Sequence, residues 1–183
     1  KLGKQGSEII LATRDGQASR FDISEVRTVG RQAIGVKGIT LNPGDEVVSM
    51  AVVTPTDKLL SITENGFGKI SMVRDYRKTH RGSKGVVTIK MTDRNGHVVS
   101  AKPISDDNQL IITTQQGMVI RVPASEIRTM GRSTQGVKIM NLSEDDKVTA
   151  AARLIGTEDE AMVAELESHE DLSFMPVDNS DEE

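Results

Sequence analysis

Short apolar runs recur along the chain in phase. Ile9-Ile10-Leu11, Leu59-Leu60 and Leu110-Ile111-Ile112 each precede a turn signal at Gly16, Gly66 and Gly117, which are 50 and 51 residues apart. Continuous apolar runs of this length suit an inner β-strand covered on both faces. Around them the second unit predicts a strand over 46–53, a turn at Thr54-Pro55-Thr56-Asp57, a strand over 58–63 and a hairpin at Glu64-Asn65-Gly66. A strand over 67–72, a basic loop and a strand over 86–91 follow, and Asn95-Gly96 supplies the next turn. The third unit repeats the order over 109–114, Gln115-Gln116-Gly117, 118–122 and 137–142.

The loop before each unit's last strand repeats as well. Thr28-Val29-Gly30-Arg31-Gln32-Ala33-Ile34-Gly35-Val36-Lys37 aligns with Lys78-Thr79-His80-Arg81-Gly82-Ser83-Lys84-Gly85-Val86-Val87 and with Thr129-Met130-Gly131-Arg132-Ser133-Thr134-Gln135-Gly136-Val137-Lys138. Gly35, Gly85 and Gly136 keep the spacing of 50 and 51, as do Arg27, Arg77 and Arg128. Four strands per unit at this period predict an all-β architecture of propeller-like blades packed about an axis. Residues 1–154 hold about three such blades, too few to close a ring, so further blades are expected upstream of Lys1.

Charge divides the chain differently. The net charge is −4, but residues 155–183 carry 11 acidic residues and no Lys or Arg, while all 23 Lys and Arg lie in residues 1–154 with the other 16 of the 27 acidic residues. The body is therefore cationic and suited to a polyanionic partner, and the acidic end competes for the same surface or aids solubility. Residues 155–183 are expected to be mostly disordered, with a transient helix over 157–166, because so polar a segment buries too little surface to offset chain entropy. The absence of Cys removes disulfides, thiolate metal sites and a Cys nucleophile, which suits a reducing cytoplasm. No apolar run approaches a membrane helix in length.

The candidate chemistry lies in the recurrent cations. Arg27, Arg31, Lys37, Arg77, Lys78, Arg81, Lys84, Arg128, Arg132 and Lys138 would form a stripe around a rim when blades stack, able to follow phosphates along a bent duplex. The alternative is that Gly makes the turn and each Arg braces a neighbouring blade through carbonyls or a carboxylate such as Asp22 or Asp75. Tyr76, the only tyrosine, lacks the acidic metal site a transesterifying tyrosine requires and reads as a packing residue. His80, His97 and His169 are too scattered for a metal cluster, and Asp106-Asp107 and Asp145-Asp146 read as turn chemistry. No catalytic residue, metal site or nucleotide-binding loop is expected in this segment. Aromatic residues at 2% provide few stacking platforms for single strands, so duplex binding fits better.

Three stretches resemble successive blades of the C-terminal domain of the DNA gyrase A protein: Gly30-Arg31 with Gly35-Val36-Lys37-Gly38-Ile39, the segment from Lys84-Gly85-Val86-Val87 to Arg94-Asn95-Gly96, and Gly131-Arg132-Ser133-Thr134-Gln135-Gly136-Val137. The hairpin Thr63-Glu64-Asn65-Gly66-Phe67-Gly68-Lys69 is similar too. The resemblance implies a β-pinwheel, six blades that exchange strands, which wraps duplex DNA on its rim. It also implies the rest of gyrase A together with gyrase B as partners in a holoenzyme of two copies of each, an ATP-dependent type IIA topoisomerase that introduces negative supercoils. ATP and Mg would be bound elsewhere in that assembly, with no cofactor in this segment, and the location would be cytoplasmic and nucleoid-associated. The family's heptapeptide box, of the type Gln-Arg-Arg-Gly-Gly-Lys-Gly, is approached only by Thr79-His80-Arg81-Gly82-Ser83-Lys84-Gly85, which departs at three places. Either the box lies upstream, or the parent is the topoisomerase IV paralogue. A protein-interaction propeller is the alternative from another class.

Overall fold

The structure is a computed structural model, and it describes residues 6–154. The expectation of an acidic disordered tail lies outside the described residues. Within them the chain forms strands β1 (Glu8–Thr13), β2 (Gln17–Asp22), β3 (Val47–Val53), β4 (Lys58–Thr63), β5 (Phe67–Met72), β6 (Val86–Val87), β7 (Val98–Ile104), β8 (Gln109–Thr114), β9 (Val119–Pro123), β10 (Val137–Lys138) and β11 (Val148–Leu154). Three-residue 3-10 turns at Ile23–Glu25, Val73–Asp75 and Ala124–Glu126 follow β2, β5 and β9.

These strands make three antiparallel sheets, one per repeat. Their orders are β3-β1-β2-β6, β7-β4-β5-β10 and β11-β8-β9. The registers repeat as the sequence does: Glu8 faces Val53, and Lys58 faces Ile104. The innermost strands lie side by side, β3 against β7 and β7 against β11.

The outer strands differ from the expectation. The runs 86–91 and 137–142 read as the fourth strand of their own repeats, but β6 pairs with β2 and β10 with β5, each in the sheet of the preceding repeat. Each is only two residues long because the chain then turns to other partners. The Thr88 amide donates to the Gly16 carbonyl at 2.8 Å and the Lys90 amide to the Thr134 carbonyl at 2.9 Å; the Ile139 amide donates to Gly66 at 2.8 Å. Neighbouring blades therefore exchange strands. Val36-Lys37, the equivalent segment of the first repeat, belongs to no strand, and β9 has no fourth strand beside it among the described residues.

The apolar runs sit second from the axis in their sheets, flanked by strands on both edges. Ile10 joins Ala18, Val53, Leu59, Val73 and Tyr76 in a core between the first and second sheets, while Ile9 and Leu11 face Phe21 and Ile39 on the opposite side. Leu60, Ile62, Ile70, Leu110 and Ile112 form the corresponding core between the second and third. Burial on both faces explains why β1 and β4 carry adjacent apolar residues, Ile9-Ile10-Leu11 and Leu59-Leu60, instead of strictly alternating ones. In β8, Ile111 and Thr113 are only half-buried, since the far face of the third sheet carries no further blade among the described residues.

Candidate nucleic-acid interface

The loops that lead to the outer strands form the candidate surface. Each begins with the same closing bond of a 3-10 turn: Val26, Tyr76 and Ile127 donate their amides to Ile23, Val73 and Ala124 at 3.0 Å. Asp22 caps the first turn through its Oδ1. The next residue is Arg27, Arg77 or Arg128, so local geometry delivers an exposed arginine to the same place in every repeat. Tyr76 and Ile127 are buried in the inter-sheet cores beneath, while Val26 is 39% exposed. Tyr76 is thus a packing residue, its hydroxyl hydrogen-bonded to Thr88 Oγ1 at 2.6 Å, and burial pushes its phenol pKa up.

The ten cations separate into three groups: seven exposed and unpaired among the described residues, two half-buried, and Lys78, exposed but paired. Arg27, Arg31, Lys37, Arg77, Lys84, Arg128 and Lys138 are exposed, and none forms an ion pair among the described residues. Arg81 and Arg132 are half-buried and brace the preceding repeat. Arg81 Nη1 donates to the Lys37 carbonyl at 2.8 Å, and Arg132 Nη1 donates to the equivalent Val87 carbonyl at 2.9 Å. The Arg132 guanidinium also lies over the Tyr76 ring, 5.9 Å from its centroid.

Lys78 is exposed but paired, 2.7 Å from Asp22 and 3.3 Å from Glu8. The hydrogen bond from Lys78 holds the Asp22 carboxyl well below the usual range, and the same bond raises the Lys78 pKa. Behind them the buried Arg20 pairs with Glu8 at 2.5 Å and donates to the Val73 and Tyr76 carbonyls at 3.0 and 2.8 Å. This network fixes the root of the second loop on the first blade.

Two further cations join the surface. Arg94 stacks over the Phe67 ring at 4.8 Å, and with Lys138 and Lys147 it lines an open cavity of about 500 Å³ that Asp145 and Asp146 also wall. Arg94 occupies the Asn95-Gly96 turn, where sequence reading registers only turn chemistry. Lys69, at a strand position that gives no sign of a site residue, is fully buried. His80 is exposed, 3.5 Å from Glu25, and His97 lies 3.2 Å from Asp15. Among the described residues no three His, Asp or Glu side chains stand together as metal ligands, and no helix is long and apolar enough to cross a membrane.

Successive sheets, the first two of which take their outermost strand from the next repeat, with exposed arginines at the blade edge, define a strand-exchanged propeller, the β-pinwheel class. The sequence matches the family described as DNA gyrase C-terminal domain, beta-propeller, over residues 7–54, 57–105 and 108–154, one segment per blade, and the chain belongs to that family. The DNA gyrase A protein of Fibrobacter succinogenes is 47% identical over 151 residues, covering 82% of this chain and 17% of that protein. The crystal structure of the C-terminal domain of DNA topoisomerase IV superposes with a TM-score of 0.81 at 27% identity, over 90% of this chain and 52% of that one. A DNA gyrase A C-terminal domain superposes with a TM-score of 0.76 at 26% identity, over 82% and 52%. The chain thus spans a small part of the curated relatives it matches.

Proposed function

We propose that this domain binds duplex DNA through its phosphates and wraps it along the blade edges, as the wrapping module of a DNA gyrase A protein. The observation that carries the reading is the recurrence of Arg27, Arg77 and Arg128, exposed and without ion-pair partners among the described residues, at one position of three successive blades. Phosphates on a curved duplex recur at regular intervals, and a rotational repeat of cations meets them without reading bases. Lys37, Lys84 and Lys138 flank the same loops and extend the strip.

In this reading the remainder of gyrase A, together with gyrase B, supplies cleavage, ATP hydrolysis and Mg binding in an assembly of two copies of each. This domain contributes no catalytic group and fixes the path of the DNA so that strand passage introduces negative supercoils. The protein works in the cytoplasm, on the nucleoid. The topoisomerase IV paralogue offers the same architecture, but gyrase A proteins of Fibrobacter succinogenes and Chlamydia trachomatis match this sequence at 47% and 42% identity, which favours gyrase A.

Gel shifts of the chain on duplexes of mixed sequence, titrated across salt, test this proposal. Binding that is indifferent to sequence and falls steeply with salt is expected. An absence of duplex binding at low salt, with capture of acidic peptides instead, would assign the blades to protein interaction.

A further inference from the structure

Lys69 has none of its surface exposed, yet no carboxylate stands within ion-pair distance among the described residues. Its ammonium donates to Ser71 Oγ at 3.0 Å, to the Gly131 carbonyl at 2.6 Å and to the Arg132 carbonyl at 2.5 Å. Ser71 Oγ in turn donates to the Met130 carbonyl at 2.9 Å. A lysine on β5 of the second blade therefore straps down the backbone of the third basic loop. The position is Ser19 in the first blade, where a neutral hydrogen bond between Ser19 Oγ and Ser83 Oγ at 3.0 Å serves the second loop, and Ile120 in the third.

Burying an ammonium without a counterion is costly even when oxygens solvate it. Here a second cation, Arg132, shares the joint, and above them the loop exposes Arg128 and, after it, Lys138. The joint thus holds an excess of positive charge in a poorly solvated place, where an arriving phosphate interacts with it more strongly than in water. We propose that Lys69 is a positioning residue for duplex binding, whose buried ammonium holds the third basic loop in shape and whose charge is drawn on by the phosphate that docks there. This inference rests on the duplex-binding reading above.

The surrounding groups make that charge titratable near neutrality. Burial, and next the Arg132 guanidinium, push the Lys69 pKa down to about 8, against the opposing pull of the Asp75 carboxylate. The Tyr76 phenol, which lies at the same joint, is pushed up by burial. As pH rises through about 8, Lys69 loses its proton and its hold on phosphate weakens. A bound phosphate favours the charged form, so duplex binding takes up a proton in this range. Stability runs the other way: above the folded pKa of about 8 and below the ordinary lysine value of 10.5, the unfolded chain binds more protons, and the Lys69 contribution to folding becomes more favourable as pH rises.

Duplex affinity of the full chain, measured across pH at constant ionic strength beside thermal unfolding, tests the proposal. Wild-type affinity is expected to fall roughly fivefold between about pH 7 and about pH 9 if a phosphate raises the Lys69 pKa by about one unit. K69M should bind more weakly at neutral pH and show a flat profile, and K69R should keep neutral-pH affinity with an equally flat profile. Should either variant fail to fold, the Lys69 side-chain resonance of the wild type, titrated with and without duplex, gives the same answer: its pKa rises in the complex. Tight duplex binding that is independent of pH, or K69M retaining the wild-type pH profile, overturns the role of Lys69 alone. Absence of duplex binding at every pH overturns the duplex-binding reading and this inference with it.

Discussion

Arg132 Nη1 donates to the Val87 carbonyl at 2.9 Å, which ties the third basic loop to β6 at the edge of the first sheet. Arg81 makes the same bond to the Lys37 carbonyl one blade earlier. Arg81 and Arg132, which recur in sequence as candidate phosphate ligands, thus also brace neighbouring repeats. Replacing Arg81 or Arg132 with Ala leaves a carbonyl without its charged donor and removes stem packing, at a cost of about 1–3 kcal/mol. Urea denaturation should show the midpoint falling for both, with the greater loss at Arg132, which also covers Tyr76.

The exposed arginines should behave oppositely. Arg77 and Arg128 make no ion pair among the described residues, so Ala substitution removes charge with little structural consequence. Each change should lower the slope of log affinity against log salt by about 0.9 and weaken all duplex sequences alike, with unfolding shifted by less than about 0.5 kcal/mol. Fluorescence anisotropy at several salt concentrations reads the slope. An unchanged slope in the double variant would remove this position from the interface.

Much of this was legible beforehand because the repeat fixes register. The segments 58–63, 67–72 and 109–114 coincide with β4, β5 and β8, where apolar runs and Gly-containing hairpins mark both core and ends. The exchange of strands was not legible from periodicity: Val86-Val87 is too short to carry a pattern, and its pairing with β2 depends on where the loop crosses. The candidate site divides in the same way. Its arginines recur visibly, but residue type alone cannot separate Arg77, facing solvent, from Arg81, facing a carbonyl. Lys69 was hidden because a strand lysine normally points outward, and only the neighbouring repeat's loop closes over it.

The Glu8–Arg20 pair beneath the second loop should be the most sensitive charged contact. Both side chains are buried, at 6% and 7% exposure, and Arg20 also serves the Val73 and Tyr76 carbonyls. Glu8→Ala leaves that guanidinium without its carboxylate and deprives Lys78 of one of its two acidic partners. Removing one member of a buried pair costs about 3–5 kcal/mol. The midpoint of urea unfolding should drop accordingly, whereas Asp22→Ala, at the exposed end of the cluster, should shift it far less.

Two glycines at equivalent positions provide a last test, of strand exchange itself. Gly35 and Gly85 both have left-handed backbones, with φ of 90° and 77°. A Cβ at Gly35 meets nothing within 4 Å, while one at Gly85 falls 2.4 Å from the Ala18 carbonyl oxygen, where the chain approaches β2 to add β6. Gly35→Ala should therefore cost only the backbone strain, about 1–2 kcal/mol. Gly85→Ala adds a clash with backbone that cannot rotate away, and it should prise β6 from β2. The expected result is a larger fall in stability for Gly85→Ala, together with faster amide exchange at Val86 and Val87 that Gly35→Ala does not produce. Equal stability losses with unchanged exchange would mean that β6 does not depend on this close approach.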